Sequence, residues 1–253
     1  MKISYAHLEK IWEADLSRPI DLSIPMSEEG PRAWYVQAPR ITPVMENGFV
    51  GSIALGGKVN FFSIQFNPHG NGTHTETLGH IDPNKFPISD WKGPYFAHAL
   101  LVTITPRVIE NEGVRDEVVQ WDQIKSLIER HRPKALVIRT QPNTIDKRGR
   151  NYSNTHFPYL SRELGAELNR FGVIHLLVDL PSVDREEDGG ELACHHAFWG
   201  FPQSPRHEAT ITEMIFVEDN VEDGLYCLSI QPPSFKNDAA PSRPILYPLH
   251  QLK

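Results

Sequence analysis

Residues 67–80 read NPHGNGTHTETLGH. Three histidines (His69, His74 and His80) and the carboxylate of Glu76 fall within these fourteen positions, beside three glycines and almost no apolar bulk. Side chains two apart in an extended segment leave the backbone on the same side, so His74, Glu76 and His80 are expected to share a face. A His-x-Glu pair can ligate a divalent ion through an imidazole nitrogen and a carboxylate oxygen. Gly70 and Gly72 would let the backbone turn sharply and come close to a ligand. The competing reading is a polar loop of hydrogen-bonded histidines, because short His/Glu clusters are weak motifs. Spacing alone leaves both open.

Two further groups lie far along the chain. His195 and His196 follow the polar stretch 180–190, and Glu213 sits inside the apolar run ATITEMIFV at 209–217. A carboxylate in an apolar strand is costly unless it is paired or metal-bound. The alternative is an alternating strand with Glu213 facing solvent. Cys194 precedes His195 directly. Neighbours on a strand point apart, which argues against a Cys–His nucleophile.

The elements that must position these groups are legible in part. Leu8, Ile11 and Trp12 have helical spacing within residues 1–17. Residues 21–25 read as a short strand ending at Pro25, and 26–43 as a long loop carrying Trp34 and Tyr35. Strands are expected over 49–55 and 58–66, joined as a hairpin at Gly56 and Gly57. Beyond the histidine-rich stretch, apolar runs at 99–105, 135–139 and 173–179 read as strands. Between them, helices are expected from Asp122 to about 131 and between Pro158 and Gly172. That alternation predicts a sheet with helices packed against it. Residues 226–230 read as the last clear strand, with a proline-rich tail from 231.

Composition narrows the function. The 253 residues carry a net charge of −7, 40% hydrophobic and 23% charged residues, twelve histidines and two cysteines. No basic cluster suggests nucleic acid. No apolar run approaches the roughly 18 residues that would suggest a membrane span, and the N-terminus lacks a secretory stretch. The expectation is one cytoplasmic domain over 1–253, with Cys194 and Cys227 as free thiols.

Several segments together resemble the cyclase family of metal-dependent hydrolases, which includes bacterial kynurenine formamidases and isatin hydrolases. Its signature is His-x-Gly-Thr-His-x-Asp with another His four residues after the Asp. Here Gly72, Thr73, His74, Glu76 and His80 match the second half. Asp21, Ser23 and Pro25 are similar to the family's early Asp-x-Ser/Thr-x-Pro. Pro181, Ser182 and Asp184 are similar to its Pro-Ser-x-Asp, and His195 and Glu213 to a later His and Glu. The resemblance implies a swivelling β/β/α fold with a central mixed sheet, assembled as a homodimer or homotetramer. It implies His74, Glu76, His195 and Glu213 as metal ligands and His80 as the general acid/base. The metal would be zinc, with manganese or iron also suited to such ligands.

Two departures stand out. Glu76 replaces the family's Asp. Gly70 occupies the place of its first His, and His69 lies one residue early. A one-residue shift in a strand reverses a side chain, so His69 is a candidate ligand only if the glycine-rich turn restores its direction. One or two ions per chain both remain open. The implied reaction is hydrolysis of a small amide such as an aryl formamide. The alternatives are a lactam or lactone of the isatin type, or a silent binding protein for a small molecule. Trp34, Phe62 and Trp199 are candidates for an apolar substrate wall.

Overall fold

The computed structural model describes residues 1–252, except 85 and 112. Eleven strands among these residues form one large sheet. They are β1 (Lys2–His7), β2 (Lys10–Asp15), β3 (Ile20–Asp21), β4 (His74–Thr77), β5 (Phe96–Ile104), β6 (Ala135–Thr140), β7 (His175–Val178), β8 (Thr210–Glu213), β9 (Gly224–Ser229), β10 (Ala239–Pro241) and β11 (Ile245–Gln251). The spatial order is β1-β2-β11-β9-β5-β6-β7-β8-β4-β10, with β3 also paired to β11. The centre, β5 to β8, is parallel. Antiparallel strands flank it, β9 beside β5 and β4 beside β8. This is the mixed α/β fold expected from the sequence.

Strands β5, β6 and β7 are largely apolar on both faces, as strands covered on both sides tend to be. Leu136 and Ile138 enter one core together with Leu176 and Val178, while Val137 and Leu177 enter the other. The first core is covered by helices α1 (Lys125–His131), α2 (Arg162–Arg170) and α3 (Ala193–Trp199). Their contributions include Ile128, Leu164, Leu168, Phe198 and Trp199. A Cβ at Gly165 on α2 would lie 2.9 Å from the carbonyl oxygen of Cys194 on α3. Glycine therefore lets the two helices approach closely, and this contact seats the helix that carries His195.

Four local expectations are corrected. Residues 1–17 form the β1–β2 hairpin, turned through Leu8 and Glu9 at positive φ of 49° and 58°. Burial in β1 alternates with a period of two, and β2 pairs with the distant β11; this tertiary pairing overrides the helical spacing. The hairpin expected at Gly56–Gly57 is absent: Phe62–Gln65 pairs with Arg40–Pro43, Phe49–Val50 pairs with Met45–Glu46, and 53–55 forms a helical turn. Cys194 and His195 lie on α3, not on a strand. The proline-rich tail contains β10 and β11, whose partners β4 and β9 could not be read from local pattern. The 40–66 arm lies outside the large sheet and exposes Met45, Leu55 and Phe61, each by about 60%. Among the described residues no helix is long and apolar enough to cross a membrane.

Candidate metal centre

Strand β4 is the backbone of the site. Gly72 turns the chain at φ +70° into the strand, and all four residues of β4 are buried. His74 and Glu76 leave one face. On the other, the Thr75 hydroxyl meets that of Thr212 at 2.7 Å. β8 pairs with β4 in a register that sets Glu213 opposite His74. After β4 the chain enters a helical turn, Leu78–His80, capped by Thr77, which accepts from the amide of Gly79. A Cβ at position 79 would lie 2.3 Å from the carbonyl oxygen of Phe86, so only glycine fits the turn that delivers His80.

The six candidates from the sequence, His69, His74, Glu76, His80, His195 and Glu213, converge on one point. His195 Nε2 lies 3.0 Å from Glu76 Oε1, and His69 Nδ1 lies 3.0 Å from Glu76 Oε2. His80 Nδ1 is 3.9 Å from that same oxygen. His74 Nε2 lies 3.3 Å from Glu213 Oε2, and His195 Nε2 is 3.8 Å from Glu213 Oε1. Glu213 is 3% exposed, which removes the reading in which it faces solvent. Its Oε1 accepts from the amide of Val183 at 3.0 Å.

Asp184 and Asp238 complete the cluster. Asp184 accepts from the amides of Cys194 and His195 and from His195 Nδ1, the last at 2.5 Å. Its Pro-Ser-x-Asp setting is visible in the sequence, but the motif alone assigns it no role. Asp238 Oδ2 lies 2.7 Å from His69 Nε2 and 3.4 Å from His80 Nδ1. Nothing local in the tail marked Asp238, because its place depends on the pairing of β10 with β4. The sequence alone left His69's direction undecided. A Cβ at Gly70 would lie 2.5 Å from Val36 Cγ2 and 3.2 Å from the Ala33 carbonyl oxygen. Position 70 therefore has no room for a side chain, and the imidazole enters from position 69.

The charge balance is tight. Burial would lower the affinity of His69 for a proton, but hydrogen bonding to Asp238 and Glu76 outweighs it and raises its pKa to about 10. Burial is likewise outweighed at His195, held well above the ordinary histidine value by Asp184 and Glu76. Glu76 is held well below the usual carboxylate range: burial opposes ionisation, but His80, His195 and His69 more than offset it.

A divalent ion fits this donor set. His74 Nδ1 faces the Gly72 carbonyl oxygen at 3.1 Å, which fixes the ring with Nδ1–H donating and the lone pair on Nε2. That Nε2 is buried with no hydrogen-bond partner. A buried lone pair facing the Glu213 carboxylate is costly without a cation to meet both. Three overlapping sets place candidate ligand atoms within 4.8 Å of one another: His69, His74 and Glu76; His69, His80 and Asp238; and Glu76, His80 and His195. Imidazole and carboxylate donors suit zinc, manganese and iron.

A cavity of about 440 Å³ opens onto the cluster, lined by His69, His80, His195 and Glu213 together with Trp34 and Leu192. Trp34, at φ +59°, is braced edge-on by Phe157. Of the other wall candidates, Trp199 is fully buried with its ring 5.5 Å from that of His195, and Phe62 sits exposed in the 40–66 arm. A larger cleft of about 620 Å³ reaches Asp184 and none of the histidines.

Comparison with known proteins agrees with this architecture. Residues 20–185 match the family model Cyclase, described as "Putative cyclase". The chain belongs to this family, whose model spans β3, β4 and the Pro-Ser-x-Asp loop. Among solved structures it is similar to a potential metal-dependent hydrolase with cyclase activity, at 17% identity and a TM-score of 0.66, covering 91% of this chain and 97% of that one. An isatin hydrolase bound to the product analogue thioisatinate aligns at 12% identity and a TM-score of 0.65, covering 91% and 92%. Isatin hydrolase A from Ralstonia solanacearum aligns at 15% identity and a TM-score of 0.65, covering 92% and 91%. At these identities the likeness is one of fold. No curated protein matches the sequence significantly.

Proposed function

We propose that the protein is a metal-dependent hydrolase that cleaves the C–N bond of a small amide, in the manner of an arylformamidase. One observation carries this reading: His74 Nε2 is buried with no hydrogen-bond partner, 3.3 Å from Glu213 Oε2, within a ring of imidazoles and carboxylates. His74, Glu76, His195, Glu213 and His69 are the residues that would hold one or two divalent ions. Such an ion supplies acidified water and a polarised carbonyl.

The chain's own groups do the rest. His80 borders the cavity with Nδ1 toward Asp238 and Glu76, which leaves Nε2 to take a proton from water and return one to the leaving nitrogen. An imidazole suits both directions near neutral pH. Asp184 fixes the His195 ring through Nδ1, so that Nε2 faces Glu76. Trp34, Val36 and Leu192 give the cavity an apolar wall against an aromatic substrate.

The isatin hydrolases among the structural relatives favour a second reading, opening of a lactam ring. Assays of the manganese- or zinc-loaded protein with an aryl formamide and with isatin separate the two. Turnover of either that is abolished by a chelator and restored by metal supports the hydrolase. Tight binding of both without turnover would replace it with a silent binding protein. The apolar side chains exposed on the 40–66 arm support assembly with further copies of this chain, to be read by light scattering.

A further inference from the structure

The two metal-facing histidines outside β4 are held in similar ways. His195 has Glu76 on Nε2 and Asp184 on Nδ1. His69 has Glu76 on Nδ1 and Asp238 on Nε2. A carboxylate behind a ligating imidazole fixes its tautomer and orientation, and its loss lowers metal affinity by roughly 10–100-fold. Asp184 belongs to a recognisable motif. Asp238 does not, and it comes from the far end of the chain.

Asp238 is itself fixed by the sheet. Ala239 pairs with Glu76 across β10 and β4, and the Asp238 carbonyl oxygen accepts from the Thr77 amide at 3.0 Å. Asn237 accepts from the amide of Ile88 at 2.7 Å. The carboxylate therefore stands at a set height beside Glu76. Its Oδ2 meets the edges of both the His69 and His80 rings, at Nε2 and Nδ1, and the two ring centroids are 4.3 Å apart. His69 needs such a brace. Val36 and the Ala33 carbonyl close position 70 to a side chain. An imidazole entering one residue early, from a glycine-rich turn, must be redirected toward Glu76.

We propose that Asp238 is the positioning carboxylate for the partly exposed side of the site formed by His69 and His80, accepting from Nε2–H of His69 so that Nδ1 is presented beside Glu76, and standing against Nδ1 of His80. The inference rests on the metal-centre reading above. It adds a residue from the C-terminal strand pair that lies beyond the segment matched by the family model.

The test uses the full chain with Mn2+ and Co2+ as probes. Calorimetry gives the Mn2+ affinity and the visible spectrum gives the Co2+ ligand field, for the unaltered protein, Asp238→Ala and Asp238→Asn. The unfolding midpoint of each metal-free form checks that it folds. Asp238→Ala is expected to weaken Mn2+ binding by about 10–100-fold and shift the Co2+ bands. Asp238→Asn, which keeps an acceptor for His69, should lose less. Affinity and spectrum unchanged in both variants would overturn the proposal, as would equal losses in both with an unshifted spectrum, which would mean that only charge matters. If Asp238→Ala does not fold, Asp238→Asn decides alone: a shifted spectrum with weaker binding supports the role, and no change in either overturns it. Failure of the unaltered protein to take up either ion would sink the metal-centre reading and this proposal with it.

Discussion

The site has two halves built on different footings. The deep half, His74, Glu76, His195 and Glu213, is carried by β4, β8 and α3 and is almost completely buried. The outer half, His69, His80 and Asp238, is carried by turns and a strand entry, and its side chains are 22–29% exposed. Rigid elements hold ligands to closer tolerances than turns do. The deep half is thus suited to fixing an ion tightly, and the outer half to adding His69 to that ion's shell while His80 meets substrate and exchanges protons.

That division can be broken by substitution. The largest effect is expected for Glu76→Ala. It removes the carboxylate shared by His69 and His195 and should lower Mn2+ affinity by more than ~100-fold, beyond the range for outer partners. Equilibrium dialysis reads this directly. His80→Asn should lower kcat by about 10²–10⁴-fold while metal content stays near that of the parent. Equal loss of metal in both variants would erase the distinction between the halves. Asp184→Asn should weaken Mn2+ binding by roughly 10–100-fold, placing it between the two; calorimetry checks the order.

A separate effect, on stability rather than metal binding, lies away from the site. His175 is fully buried on β7, its ring nitrogens facing the Thr210 hydroxyl and the Pro94 carbonyl oxygen at 2.8 and 3.0 Å. Burial lowers its pKa from 6.5 to about 4. The unfolded chain takes up this proton below 6.5 and the folded chain only below 4. The stability it contributes is therefore full above pH 6.5 and is lost as the pH falls to 4, by up to about 3 kcal/mol. Thermal unfolding of the metal-free protein from pH 7 to 4.5 should show this acid loss, and His175→Gln should flatten it.

The same division governs what the sequence discloses. His74 and Glu76 are legible because strand periodicity puts i and i+2 on one face, and the run around Glu213 announces a carboxylate that needs a partner. The parallel core is legible because β5, β6 and β7 are apolar runs separated by helices, although Asp122, expected to cap the first, lies in a helical turn before α1 and only α2 is side-chain capped, by Ser161. His69 is ambiguous, because its direction depends on the space left by Val36 and Ala33. Asp238 is invisible, because β10 earns its place only by pairing with a strand some 160 residues earlier. The N-terminal hairpin misleads for the same reason: Leu8, Ile11 and Trp12 have helical spacing, but pairing of β2 with β1 and β11 puts Ile11 and Trp12 in a strand and Leu8 in the turn before it.

The central claim is that the buried ring around Glu76 holds a divalent ion. Elemental analysis of protein purified without added metal, beside His74→Ala, tests it most directly. About one or two equivalents of zinc, manganese or iron per chain are expected, sharply reduced in the variant. No metal in the parent protein, and none taken up on incubation with Zn2+, Mn2+ or Fe2+, would contradict it.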